Sequence, residues 1–401
     1  MGEAASLKIA FIIGGLNTGG ASLLVSLLMR ELDRVGISVA LYSLENRQQM
    51  CSEFERHGLV CKTSGEHADL MDDRVDWVLQ QLRDFAPTTV VGCLGGHSFE
   101  VLRFLPKGPQ RIGLILADDP NVFSMAARYI EVLDCIAGNS RTIKRRLDDS
   151  PHFLSLKREW CVSGVQPPTV PPPNRNPDES LRIVTLSRIN REQKRVHLFP
   201  EILAVLESAA RPMVWTIIGD GPELSWLMAE MNPLANFVTI QFTGSIQPHE
   251  VDDYLYGQDV FLLTSDYEGQ PLAMIHAMMN GVVPVVSNLE SGIPELVSPA
   301  TGITVELNDI PGYAHAIMEL DADRVRLASM SAAARELALN NYSSEAMARK
   351  WLTFLKLPAL GVKVEWPKRF IIKAPLVDPR WWYYNPVTRI FRRWVKSWSA
   401  Q

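Results

Sequence analysis

Cysteine is scarce in this chain of 401 residues. There are five, Cys51, Cys61, Cys93, Cys135 and Cys161, an odd number without CxxC spacing. That removes the signature of a disulfide framework and fits thiols kept reduced in a cytosolic compartment as small core residues. Long apolar runs are missing too: none approaches the ~18 residues of a spanning helix. The early stretch Ile9 to Ile13 is too short for a secretory leader and reads as a first strand. Met1-Gly2 with Ser6 formally matches an N-myristoylation pattern, a short one. Positive charge is not in excess, with 40 Lys and Arg against 45 Asp and Glu and a net charge of −5. This gives no support for a nucleic-acid partner. Internal repeats, low-complexity tracts and spaced sets of metal ligands are also lacking.

What is present is the composition of an ordinary soluble protein, 47% hydrophobic and 21% charged. Its length exceeds the usual single core, so two domains are expected. Strands are predicted at Lys8 to Ile13, Val39 to Leu44, Thr89 to Gly92, Ile112 to Leu116 and Cys135 to Gly138. A second set is predicted at Leu181 to Leu186, Met213 to Gly219, Val238 to Thr243, Val260 to Thr264 and Val282 to Ser287. Helix-length segments separate them; one carries Leu23, Leu24, Leu27, Leu28 and Leu32 at helical spacing. Strands alternating with helices indicate an α/β fold of βαβ units around parallel sheets.

Gln166 to Asn174 holds five prolines, which lack the N–H and fix φ, so it reads as a linker. The expected division is 1–168, 169–345 and a C-terminal helix and tail, 346–401. Residues 363–401 hold nine Lys and Arg against two Asp and Glu, interleaved with Trp381, Trp382, Tyr383, Tyr384, Phe391, Trp394 and Trp398. Two readings stay open for this tail: a segment packed on the first domain with a solvated basic face, or an interfacial segment on anionic lipid.

The most informative string is Asp266 to Ser287, DYEGQPLAMIHAMMNGVVPVVS. It joins a buried strand to a loop with one acid, Glu268, then a short apolar helix and a second strand. In open parallel sheets ligands sit beyond the carboxyl ends of strands, where loops meet helix N-termini. Glu268, Gly269, Gln270 and Pro271 are expected there. Arg188 and Lys194, in SRINREQKRVHLF, follow another strand and offer a planar fork and a mobile point charge to phosphate. Gly219 ends the strand WTIIGDGP in a tight turn. In the first half, GGLNTGG places Gly19 and Gly20 at a helix start, suited equally to a tight turn and to close approach of backbone amides to a phosphate or acceptor. His97, in GGHSFE, ends a strand and is either structural or on the acceptor side. Asp118 and Asp119 are adjacent acids with no spaced third ligand for a metal.

Together these strings resemble the sugar-nucleotide signature of glycosyltransferase family 4, strongest from Leu181 to Gly302, with ESGIPELV (Glu290 to Val297) completing the order. The resemblance implies the GT-B fold, two Rossmann-like domains facing a cleft, and no metal or other cofactor. It places Arg188 and Lys194 on the donor diphosphate, Gly219 beside the nucleotide and the loop of Gly244 and Ile246 at the base. Glu268 would orient or stabilise the transferring sugar as the catalytic residue. The family carries a second Glu eight positions after the first, which accepts hydrogen bonds from ribose; here that position is His276, whose neutral ring keeps one acceptor and one donor. A family His on the donor sugar is replaced near Ile115, Leu116 and Ala117, leaving Asp118 to meet the acceptor.

The expectation is a retaining glycosyltransferase moving a hexose from a nucleotide diphosphate sugar to a hydroxyl acceptor, in surface polysaccharide or glycolipid assembly. Its partners would be that donor, a glycan or lipid-linked acceptor and an anionic membrane surface, but no nucleic acid. The expected location is the cytoplasm, with peripheral attachment to the inner membrane face through the tail. The alternative is a degenerate glycosyltransferase-like module that binds without turnover, motivated by the two substitutions.

Overall fold

A computed structural model describes residues 7–16, 19–45, 50–64, 71–94, 96–173, 176–355 and 364–372. Most of the basic aromatic tail, and Asn17 and Thr18 of the GGLNTGG loop, lie outside the described residues. The chain divides into two compact units, one of residues 1–139, 143–161 and 351–401, the other of 140–142 and 162–350.

Among the described residues the first unit contains seven parallel strands: β1 (Lys8–Ile13), β2 (Ser38–Ser43), β3 (Val60–Thr63), β4 (Thr89–Cys93), β5 (Gln110–Ile115), β6 (Cys135–Gly138) and β7 (Lys157–Trp160). Their order is β3-β2-β1-β4-β5-β6-β7. The second unit contains β8 (Leu181–Leu186), β9 (Met213–Ile218), β10 (Val238–Gly244), β11 (Val260–Leu263), β12 (Val283–Ser287) and β13 (Ile303–Val305), in the order β10-β9-β8-β11-β12-β13. Both sheets are Rossmann-like. Central strands such as β1 and β11 are nearly continuous apolar runs, because helices cover both faces.

The strand order reverses between β1 and β4 in one sheet and between β8 and β11 in the other. Where it reverses, the helices leaving adjacent strands go to opposite faces, and the loops part to leave a crevice at the carboxyl ends. The core of the second unit keeps that edge in register. Trp215 on β9 is fully buried and donates its indole N–H to Thr185 Oγ1 on β8 at 3.2 Å; Thr185 in turn donates to Leu262 O on β11 at 3.3 Å.

Three strands escaped the sequence reading. β3, VCKT, and β7, KREW, are short, half-exposed edge strands without a buried run, and β13 has three residues. The proline segment lies on the second unit: Val165 pairs with Ser343, and Pro172 packs against Gly281. In the first unit, Trp366, Phe370 and Ile372 pack on the core, so residues 364–372 are part of that fold.

Candidate functional site

The loop after β8 carries Arg188 and Lys194, and the loop after β11 carries Glu268. These strands flank the reversal, so two loops far apart in sequence converge at one crevice edge. Lys194 Nζ lies 2.5 Å from Glu268 Oε1, with both side chains largely buried (15% and 8% exposed). Ser265 Oγ donates to the same oxygen at 2.7 Å. Oε1 is therefore committed twice, while Oε2 has no partner among the described residues. A carboxylate fixed by one oxygen and open at the other is suited to accept from a sugar hydroxyl or face developing positive charge.

Bonds to backbone carbonyls lock the loops together. Thr264 Oγ1 donates to Lys194 O at 2.7 Å, Asp266 N to Gln193 O at 2.8 Å and Gln193 Nε2 to Tyr267 O at 3.2 Å. Glu268 is not a helix cap. The following helix, Leu272–Met279, has Pro271 as its N-cap and no side-chain cap bond.

Arg188 is exposed, and its guanidinium has no partner among the described residues. Among the described residues it is the cation of this edge not already neutralised. Gly219 explains how it is held. Its φ is 138°, a region favouring glycine, and an added Cβ would overlap Ser187 O, next to Arg188. Gly219 N also donates to Gly244 O at 2.9 Å, joining the ends of β9 and β10. Ile246 follows, half-buried in the loop after β10.

Gly269 and Gln270 are backed by the ESGIPELV segment. Gly292 N donates to Gly269 O at 2.6 Å, and a Cβ on Gly292 would stand 2.6 Å from that same oxygen. Gln270 is buried and its Oε1 accepts from Ser163 N at 2.7 Å.

His276 is buried in the helix Leu272–Met279, and its Nε2 lies 2.8 Å from Asp252 Oδ1. Asn280 Nδ2 donates to the same oxygen at 2.9 Å. Burial pushes the Asp252 carboxyl up, but the hydrogen bond and charge of His276, with Asn280, outweigh it and hold the group below its ordinary value. The chain thus has a carboxylate beside position 276, supplied by Asp252 from another helix. Spacing gave no signal for this, nor for Ser265 or Ser163.

In the first unit Gly19 and Gly20 open the helix Gly20–Arg34 after β1, and no side chain caps it. His97 does not end a strand. It is the first residue of the helix His97–Arg103, beyond the end of β4, because β4 stops at Cys93. Both follow the strands at that sheet's reversal. Asp118 follows β5 and pairs with Arg146 Nε at 2.9 Å, while Asp119 caps the helix Pro120–Ala127 by accepting from Asn121 N at 2.8 Å. The adjacent acids thus hold separate structural partners. Among the described residues no group of three or more His, Cys, Asp or Glu is arranged to hold a metal.

Residues 168–337 match the model of the family described as glycosyl transferases group 1. The matched segment holds Arg188, Lys194, Gly219, Glu268 and His276 alike. The chain is 32% identical over 196 residues to the protein named as a colanic acid biosynthesis glycosyltransferase, WcaL, of Escherichia coli K12, covering 46% of this chain and 47% of that one. The chain spans about half the length of the curated relatives it matches. Solved structures match over more of it. A Staphylococcus aureus TarM variant, in complex with Fondaparinux, α-GlcNAc-glycerol and UDP, superposes with a TM-score of 0.71 at 14% identity, covering 86% of this chain and 99% of that one. HepE of Anabaena, in complex with UDP and glucose, gives 0.69 at 14% identity, covering 87% and 100%. At such identity these likenesses establish the GT-B fold alone.

Proposed function

We propose that this protein is a retaining glycosyltransferase of group 1 that moves a hexose from a nucleotide diphosphate sugar to a hydroxyl acceptor in polysaccharide or glycolipid assembly. The observation that carries the reading is the meeting of Lys194 and Glu268 at the β8–β11 reversal, at 2.5 Å. A nucleotide diphosphate sugar brings two phosphates and a sugar that must be held at fixed separation. Arg188 supplies the unpaired cation for the phosphates. Lys194, with donors beyond the one given to Glu268, bridges phosphate and carboxylate. Glu268 then orients the sugar through Oε2 and supports charge at the anomeric carbon. The colanic acid relative and the UDP named in the TarM and HepE complexes support this choice of donor and product class.

The loop of Gly244 and Ile246 takes the base, and His276 with Asp252 takes the ribose. Gly19, Gly20, His97 and Asp118 stand on the acceptor side, and the tail attaches to an anionic membrane surface. The donor needs no metal on this reading. The test is incubation with UDP-, GDP-, ADP- and TDP-sugars, with free nucleotide followed over time. Slow nucleotide release abolished in Glu268→Gln is the expected result. Binding without release would replace transfer by a non-transferring module, and absence of binding would remove the donor site altogether.

A further inference from the structure

Arg195 has φ 50° and ψ 39°, in the left-handed region. Among the described residues it is one of four non-glycine positions with positive φ. A residue with a Cβ is held there only when its surroundings over-determine it. Those surroundings are specific. The guanidinium, 12% exposed with the rest of its side chain, donates through Nη1 to Leu307 O at 2.5 Å and through Nη2 to Asn308 Oδ1 at 3.0 Å. Its Nε lies 3.3 Å from Asp266 Oδ1.

Three loops at the carboxyl edge of the second sheet therefore meet on one side chain: the loop after β8, which bears it, the loop after β11 through Asp266, and the loop after β13 through Leu307 and Asn308. The left-handed turn has a geometric consequence. Consecutive side chains reach the same loop, Lys194 to Glu268 and Arg195 to Asp266, two residues apart.

We infer that Arg195 is a positioning residue for the donor site, spending backbone strain to clamp the Glu268 loop against Lys194. It does not touch the donor; it acts through Lys194 and Glu268. This rests on the donor reading above, and the test separates the two.

Glycine is the informative replacement, because Arg195→Gly removes the strain together with the clamp. The expected result is a melting temperature near that of the unaltered chain with faster exchange of the Asp266 amide, which bonds Gln193 O. Affinity for whichever of UDP, GDP, ADP and TDP binds should fall about tenfold, the effect of losing roughly one hydrogen bond to a charged group. Arg195→Lys keeps the charge near Asp266 but not the fork to Leu307 and Asn308. It should restore part of the protection and part of the affinity.

Unchanged Asp266 exchange in Arg195→Gly overturns the clamp whether or not a nucleotide binds. Faster exchange with unchanged nucleotide affinity, while Lys194→Ala loses it, overturns the positioning role and leaves the donor reading intact. Binding of none of UDP, GDP, ADP and TDP by the unaltered chain counts against the donor reading and overturns the positioning role with it. The clamp alone is then judged on exchange.

Discussion

Gly219 and Ser187 meet so closely that no Cβ fits between them: one built on Gly219 would overlap the Ser187 carbonyl oxygen. The turn after β9 thereby sets the height of the loop after β8. Gly219→Ala must push that loop away and adopt a φ that alanine resists. We expect a loss of about 1–3 kcal/mol in chemical denaturation, the usual cost of overpacking. Donor affinity should fall with it, since Arg188 moves with Ser187. Unaltered stability would mean that the turn relaxes freely.

Lys194 and Glu268 make a separate prediction about stability. Removing one member of a largely buried pair leaves a desolvated charge, at a cost of about 3–5 kcal/mol. Lys194→Met should fall near the lower end, because Ser265 still bonds Glu268. Adding Glu268→Gln should recover most of the loss while donor binding stays weakened. A double variant as unstable as the single one would show that the two groups are not coupled.

An acid at position 276 would face Asp252. His276→Glu would place a second carboxylate against Asp252, so the expected result is a melting temperature lowered at neutral pH that recovers as pH falls towards about 4, because carboxylates sharing a site hold a proton at a raised pKa. His276→Glu with Asp252→Asn avoids the clash and is the fair test of whether an acid at position 276 improves donor binding. In the unaltered chain Asp252 has a depressed folded pKa. Its contribution to stability is complete above the unfolded value of about 3.9 and is lost as pH falls through the folded one. A pH titration in which Asp252→Asn loses less stability in acid than the unaltered chain checks the assignment, the remaining loss belonging to carboxylates such as Asp148 and Glu207.

The architecture was largely legible in the residues, because period and burial are local signals. β1, β6 and β8 begin and end where their apolar runs do. The edge strands β3 and β7 were not legible, since KREW and VCKT bury too little to stand out from loops. At the site, residue types and loops could be read, but not the pairings. Lys194 and Glu268 are 74 positions apart, and only the strand order makes their loops neighbours. His276 reads as a lost carboxylate in sequence, because Asp252 reaches it from a separate helix. The left-handed turn at Arg195 carries no glycine to announce it.

Trp366, Phe370 and Ile372 pack on the first unit's core, so removing everything from residue 363 would damage that unit. Deleting residues 373–401 spares them. On the membrane reading, the shortened protein should keep its melting temperature and lose binding to vesicles containing anionic lipid. Retained vesicle binding would assign attachment to another surface.

The most direct measurement is a calorimetric titration of the unaltered chain and Lys194→Ala with UDP-, GDP-, ADP- and TDP-sugars. Binding of one donor by the unaltered chain, weakened ~10-fold or more in Lys194→Ala with the fold retained, is the expected result for a lost charge-assisted contact to phosphate. Equal binding by both, or binding of no donor by the unaltered chain, would contradict a donor site built on Lys194 and Glu268.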